Sequence, residues 1–417
     1  MPADWIVLSV FGAVYAGMAL GGWPGLAVDR TGVALIGAIV LLATGAVTAP
    51  QALGSIDFST LAILFTLMVL SSQYAASGFF DAAVSRLADG ERSRHGLLAL
   101  VIAIAAGLSA VLTNDVVVWA MTPLLVTGLS RRGLDPRPFV IALACAANAG
   151  SAATLIGNPQ NLLIGETGRL GFWAYTAAAV VPSLLALGVI HAVVSRTASF
   201  RRGASESPVP AAVPARPAVD RRALAKAVAA TAAILVIFTV ADDRGTWALA
   251  VAAALLISRR EGTRRRLDRV DWPLLLLFAS LFVVTGAFAH GSTTARLDAG
   301  LAAMVNPGST GALAAAALAG SNTIGNVPFV MLALSVLPHW SAASLHALAL
   351  FSTLSGNFLI VGSVANIIAA ERAAEQGVHV GFRAYARIGV PVTLASLLIA
   401  WAWMALAFPA LARLVGP

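Results

Sequence analysis

The sequence is poor in charge and almost free of cysteine. Only 11% of its 417 residues are charged, where water-soluble domains carry about 25%. Together with 59% apolar residues, this excludes an ordinary soluble enzyme and implies a chain whose solvent is largely lipid. The single cysteine, Cys145, excludes an intrachain disulfide and a cysteine-based zinc cluster, and reads as a small core residue in an apolar run. There is no Gly-x4-Gly-Lys-Ser/Thr nucleotide loop, so an ATP-driven pump would need a partner subunit. The first apolar stretch lacks the basic region of a cleavable signal and carries Asp4, so it reads as a first membrane helix or signal anchor. The six histidines are scattered, with no metal pair at helical spacing.

What is present is a series of long apolar stretches, among them Trp5–Gly22, Thr31–Val47, Ser59–Gly78, Phe172–Val194 and Gly389–Leu411. A hydrocarbon core about 30 Å thick needs about 20 apolar residues per crossing helix, and these stretches meet that requirement. The net charge of +8 comes from arginines in short loops between the apolar stretches. That is a positive-inside distribution rather than a nucleic-acid-binding surface. It predicts an inner (plasma) membrane protein surrounded by lipid.

The chain repeats itself. Val28-Asp29-Arg30 recurs as Asp242-Asp243-Arg244, and Ile56-Asp57-Phe58 as Val270-Asp271-Trp272, so Asp29 and Asp243, like Asp57 and Asp271, stand 214 positions apart. Gly78 matches Gly291. Gly157, Asn161 and Glu166 match Gly362, Asn366 and Glu371, each 205 positions on. Arginine-rich loops at 86–94, 131–137, 196–226, 259–269 and 372–387 are assigned to the cytoplasm. The segment Leu97–Ser130 then has basic loops at both ends and must enter and return on one side. A second hairpin is expected near Gly311–Leu337, entering from the opposite face. The predicted fold is an all-α polytopic membrane protein of two inverted repeats, each with about five transmembrane helices and one re-entrant hairpin. Residues 1–200 form the first repeat, 201–222 a cytoplasmic linker rich in Pro, Ala and Arg, and 223–417 the second repeat.

Four polar islands interrupt the apolar segments. They are Thr113-Asn114-Asp115; Ser151 through Asn158 and Asn161; Ser321-Asn322-Thr323 through Asn326; and Asn357 through Ser363 and Asn366. Asn, Gly, Pro, Ser and Thr stop helices and supply hydrogen-bonding side chains. Lipid satisfies no free backbone group, so unwound chain at mid-membrane must be enclosed by protein or line a watery cavity. A half-helix beginning there aims its partial positive end at the break, and one ending there offers carbonyls. A lone Ser or Thr in a spanning helix more often bonds its own backbone, and a lone Gly is more often a packing notch. Four islands matched across two repeats favour a binding site for a small anionic or polar solute. No Lys or Arg lies in them. Asp115 is the one acid at a predicted turn and reads either as a coupling residue or as a cap for a helix starting at Val116. Glu166 and Glu371 are assigned to the membrane faces.

Leu112-Thr113-Asn114-Asp115 with Thr122-Pro123 resembles the first hairpin motif of the ion transporter superfamily, which includes arsenite/antimonite permeases, NhaD-type antiporters, citrate transporters and divalent anion symporters. Ile156-Gly157-Asn158-Pro159-Gln160-Asn161 is similar to the broken-helix motif of its citrate-transporter-like anion permease branch. Asn326-Val327-Pro328 and Gly356-Asn357 through Asn366 resemble the counterparts in the second half. The resemblance implies a homodimeric carrier with a scaffold and a moving part. It places Asn114, Asp115, Asn158 and Asn161 at one site and Asn326, Asn357 and Asn366 at another. The first tip departs from the Ser-Asn-Thr of the divalent anion symporters, which points away from sodium–dicarboxylate symport. The expected function is secondary transport of a small anion or oxyanion-like solute, such as a carboxylate or arsenite, coupled to Na+ or H+ and needing no other cofactor. A sodium/proton antiporter is the alternative. An intramembrane hydrolase is disfavoured, because only one deep acid and no Ser–His pair is found.

Overall fold

The computed structural model describes residues 2–88, 93–202, 219–258, 261–289, 305–337 and 340–409, together with residue 300. Among the described residues the chain is helical, with no strand beyond an isolated bridge between Gly22 and Asp29. The first half runs through α1 (Pro2–Leu20), α2 (Arg30–Ala43), α3 (Ala49–Ser55), α4 (Phe58–Ala76), α5 (Phe79–Ala88), α6 (Arg94–Ser109), α7 (Asn114–Arg131), α8 (Arg137–Ser151), α9 (Pro159–Thr167), α10 (Phe172–Ser195) and the short α11 (Ala198–Arg202). The second runs through α12 (Arg221–Val240), α13 (Arg244–Leu256), α14 (Thr263–Leu267), α15 (Trp272–Ala289), α16 (Thr310–Thr323), α17 (Asn326–Val336), α18 (Ala342–Ser355), α19 (Val364–Ala374) and α20 (Phe382–Ala402), which continues into a π turn, Trp403–Ala407. Five of these, α4, α10, α12, α15 and α20 with its π turn, are long and apolar enough to cross a membrane.

The order of the second half repeats that of the first. α1 to α4 correspond to α12 to α15, the pair α6 and α7 to α16 and α17, the pair α8 and α9 to α18 and α19, and α10 to α20. The aspartates that mark the repeat in the sequence have a physical role as helix caps. Asp29 accepts from Gly32 N at 2.8 Å and Asp243 from Thr246 N at 3.1 Å. Asp57 accepts from Thr60 N and Asp271 from Leu274 N, both at 3.0 Å. Each relieves an orphan donor of a first turn, an interaction of about 1 kcal/mol.

Packing follows the same exchange. α2 lies on α15 as α13 lies on α4; α1 lies on α15 as α12 lies on α4; α6 packs on α8 as α16 packs on α18. α10 and α20 pack on each other. The two interrupted helices occupy the centre, where every residue of Pro138–Ser151 and of Leu345–Ser355 is buried. The hairpin expected over Leu97–Ser130 is α6 and α7, and the one expected over Gly311–Leu337 is α16 and α17. Most of the expected linker, 203–218, lies outside the described residues, as do Gly291, His290 and His339; the flanks of the linker are helical.

The crossing of two broken helices as candidate functional site

α8 ends at Ser151 and α9 begins at Pro159; between them the chain leaves the helix in the protein interior. Proline suits the first helical position because its missing N–H is unpaired there in any case. Asn158 caps α9, its Oδ1 accepting from Asn161 N at 2.9 Å. In the other half, α18 ends at Ser355, a 3-10 turn covers Ile360–Gly362, and α19 begins after Ser363.

The end of each first segment leaves carbonyls without helical partners, and one asparagine in each half satisfies them. Asn161 Nδ2 donates to the carbonyls of Ser151 at 3.3 Å and Thr154 at 3.0 Å. Asn366 Nδ2 donates to those of Gly356 at 2.7 Å and Leu359 at 3.2 Å. Donor and acceptors all shift by the same 205 positions (161 to 366, 151 to 356, 154 to 359).

Each break is then tied to the opposite half. Asn148 Nδ2 donates to Asn357 Oδ1 at 2.9 Å and Asn366 Oδ1 at 3.1 Å. Its Oδ1 accepts from Asn114 Nδ2 at 2.8 Å and Ser363 Oγ at 3.1 Å. Thr353, 205 positions after Asn148, does the reciprocal work: Oγ1 donates to Asn161 Oδ1 at 2.9 Å and accepts from Asn158 Nδ2 and Gln160 Nε2, each at 3.2 Å. Ser151 Oγ accepts from Asn158 Nδ2 at 2.9 Å. None of these side chains is more than 2% exposed.

The hairpin tips close over the breaks. Asn114 N donates to the Gly157 carbonyl at 3.0 Å. A Cβ at Gly157 would stand 2.6 Å from the Ser109 carbonyl oxygen, so only glycine admits this approach. At the repeat-related Gly362, a Cβ would collide with Asn322 Oδ1. Asn322 Nδ2 donates to the Leu318 and Ser355 carbonyls at 2.9 Å, and its Oδ1 accepts from Leu359 N at 3.2 Å. Ser321 Oγ donates to the Ser352 carbonyl at 3.3 Å.

The structure therefore gathers Asn114, Ser151, Asn158, Asn161, Asn357, Ser363 and Asn366 into one network, with Ser321 and Asn322 beside it. The resemblance implies one site per half; hydrogen bonds join Asn114, Asn158 and Asn161 of the first to Asn357 and Asn366 of the second through Asn148 and Thr353. Thr323 is exposed and bonds the Ala319 carbonyl of its own helix, and Asn326 Oδ1 accepts from the adjacent Val327 N. Asn148, Thr353 and Tyr175 are central residues that the sequence reading passes over. Tyr175 Oη donates to the Ala152 carbonyl at 2.7 Å and accepts from Asn161 at 3.0 Å. The signal for Asn148 and Thr353 is their shared 205-residue spacing, as lone polar residues in apolar runs. Around the first tip, Ser109 Oγ, Thr113 Oγ1 and Asn114 Oδ1 are buried oxygens with no hydrogen-bond partner; Ser355 Oγ, at the end of α18, is another.

Asp115 does not join the crossing. α7 begins at Asn114, so Asp115 lies in its first turn rather than capping a helix at Val116. It lines a cavity of about 350 Å³ with Ser71, Ser72, Trp119, Asp268 and Asp271. A second cavity, of about 310 Å³, is its repeat counterpart. Met68, Ser71, Ala75 and Asp268 of the first correspond to Phe282, Thr285, Ala289 and Gly54 of the second, each shifted by 214. The Asp115 cavity is lined by Asp268 and Arg269 of the arginine-rich 259–269 loop, carries the acids and holds the unpartnered Ser71 Oγ. Its counterpart is lined by uncharged residues only.

A sequence model described as citrate transporter matches residues 6–345. The chain is 26% identical to the silicon efflux transporter LSI3 of Oryza sativa subsp. japonica, over 89% of this chain and 91% of that protein. It is 28% identical to the P protein of Sus scrofa over 91% of its own length, which spans 57% of that relative. Among solved structures, the Alcanivorax borkumensis YdaH transporter has the same fold, with a TM-score of 0.60 at 15% identity, covering 100% of this chain and 99% of that one.

Proposed function

Because this chain belongs to the citrate transporter family, whose members are membrane transporters and not enzymes, we propose that it carries a small anion or oxyanion-like solute across the cell's inner (plasma) membrane by alternating access. The supporting observation is the crossing itself. Amides and hydroxyls converge there from both breaks with no Lys or Arg among them, and α7, α9 and α19 begin beside it. Helix N-termini and amides hold hydroxyl and oxyanion oxygens without a full positive charge. That suits weakly charged solutes such as arsenite, and also carboxylates. The relative named for silicon efflux is consistent with a hydroxylated solute.

The coupling ion in this reading is Na+ or H+. The buried, unpartnered oxygens Ser109 Oγ, Thr113 Oγ1 and Asn114 Oδ1 are hard ligands suited to sodium, and Asp115 faces the cavity through which an ion would leave. The two halves, residues 1–200 and 223–417, are inverted with respect to one another, and the protein works as a homodimer. Flux into proteoliposomes tests the proposal with arsenite, citrate, succinate, sulfate and silicic acid, each with sodium and proton gradients. Gradient-driven accumulation of at least one solute is the expected result. Sodium-driven proton movement with none of the five transported would replace the proposal with sodium/proton antiport.

A further inference from the structure

Two glutamates and two arginines keep their places in the repeat. Glu166 and Glu371 are 205 positions apart, and Arg30 and Arg244 are 214 apart. Only one glutamate meets its arginine. Arg244 Nη1 lies 3.2 Å from Glu166 Oε1, while Nη2 donates to the Leu170 carbonyl at 3.0 Å. Ser59 Oγ donates to Glu166 Oε2 at 2.6 Å, and the guanidinium lies 5.1 Å from the centroid of the Phe238 ring. The arginine side chain is 14% exposed and the glutamate 10%, so this is a sheltered pair rather than a surface one. It fastens the end of α9, part of the broken-helix core, to α4 and α13 of the surrounding helices.

The repeat-related residues differ. Arg30 Nε donates to the Met18 carbonyl at 3.2 Å, within its own half. Glu371 is exposed and has no ion-pair partner among the described residues. Its neighbour Arg372 lies 4.6 Å from the centroid of the Trp119 ring, holding α19 against the first hairpin. α9 packs against α4, whereas their counterparts α19 and α15 do not pack comparably. The Asp115 cavity is lined by residues of α4, α7, α19 and the chain entering α15.

We propose that the two ion pairs are made alternately: Glu166–Arg244 holds the arrangement seen here, and Arg30–Glu371 closes in the opposite-facing arrangement as the first pair parts. The inference rests on alternating access, in which halves related by a pseudo-two-fold exchange conformations. In the exchanged state α19 would seat against α15 as α9 now seats against α4, bringing Glu371 to Arg30 at the start of α2 as Glu166 now meets Arg244 at the start of α13. Breaking a sheltered ion pair without replacement is costly, and forming a matched pair on the far side offsets that cost. The second pair is the weaker. The position corresponding to Ser59 is Pro273 and that corresponding to Phe238 is Pro24, so both the hydroxyl and the ring are missing. The arrangement with Glu166–Arg244 closed is therefore the resting one.

Disulfide trapping of the full chain in proteoliposomes tests this, with buried Cys145 left in place. One variant carries Glu166→Cys and Arg244→Cys, a second Arg30→Cys and Glu371→Cys, and a third all four. A bridge requires Cα atoms within about 7 Å. The first pair should bridge readily under mild oxidation, the second roughly tenfold more slowly, and closing the first in the third variant should suppress the second. Adding Arg244→Gln to the second variant should speed its bridging by roughly tenfold, while Arg244→Lys, which keeps the charge, leaves the rate near its starting value. The proposal fails if the Arg30/Glu371 cysteines never bridge under sodium or proton gradients of either direction. It fails equally if they bridge at an unchanged rate after the first pair is closed or in the Arg244→Gln background. Bridging is read without any solute, so a failed flux assay would overturn the solute assignment and leave this result standing.

Discussion

The crossing at the centre and the rim around it treat the internal repeat in opposite ways. At the crossing the repeat holds in role: Asn161 and Asn366 donate to carbonyls at the same relative positions, and Asn148 and Thr353, at matched positions, each bind the other half's break. At the rim it holds in position but not in chemistry. Asp115, Asp268 and Asp271 line one cavity while the matching cavity has no charged lining residue, and Glu166 is paired while Glu371 has no ion-pair partner among the described residues. A centre that looks alike from either half suits a solute that must be held in both arrangements. A rim that differs is where two arrangements can be told apart in energy.

The variant that would test this contrast most severely is Asn148→Ala. It strands Asn114, Asn357, Ser363 and Asn366 in a buried setting, where each lost partner costs about 1–3 kcal/mol. A large fall in melting temperature and loss of flux are expected, while Thr353→Ser, which keeps the hydroxyl, stays near wild type. A melting curve for Asn148→Ala that matches wild type would remove the crossing from the argument. Gly157→Ala comes next. Its methyl meets the Ser109 carbonyl and the Ser151 backbone, and overpacking of this kind costs about 1–3 kcal/mol, again seen by melting.

Asp115→Asn sharpens the contrast from the other side. Because Asp115 stands outside the network, melting should move by less than about 1 kcal/mol equivalent, but gradient-driven accumulation should be lost. Retained accumulation would remove Asp115 from the coupling path. The smallest effect is expected for Ser335→Ala, whose hydroxyl bonds only the Leu332 carbonyl of its own helix beside the uncharged cavity. A change within about 0.5 kcal/mol and unaltered flux are the expected readings. A large loss there would mean that the two cavities are chemically closer than their linings suggest.

Much of this was legible in the chain itself. Apolar run length announced the membrane, and repeat-matched aspartates announced two halves because helix caps must recur wherever helix starts recur. Clusters such as Asn158-Pro159-Gln160-Asn161 announced breaks because they stop helices by local chemistry. Asn148 and Thr353 stayed hidden, since each is a single polar residue inside a continuous helix with nothing local to distinguish it from a back-bonded one. Adjacency in the sequence groups Asp115 with Asn114, but neighbours on a helix point about 100° apart, and the turn sends one to the crossing and the other to the cavity.

Composition, apolar length and caps depend on residues close together along the chain, so the sequence alone determined an all-helical membrane protein with paired interruptions. Which amide meets which across 192 to 218 residues, and which of two matched glutamates finds its arginine, was decided only when the halves packed. Those bonds depend on directions and distances between helices that no local pattern encodes.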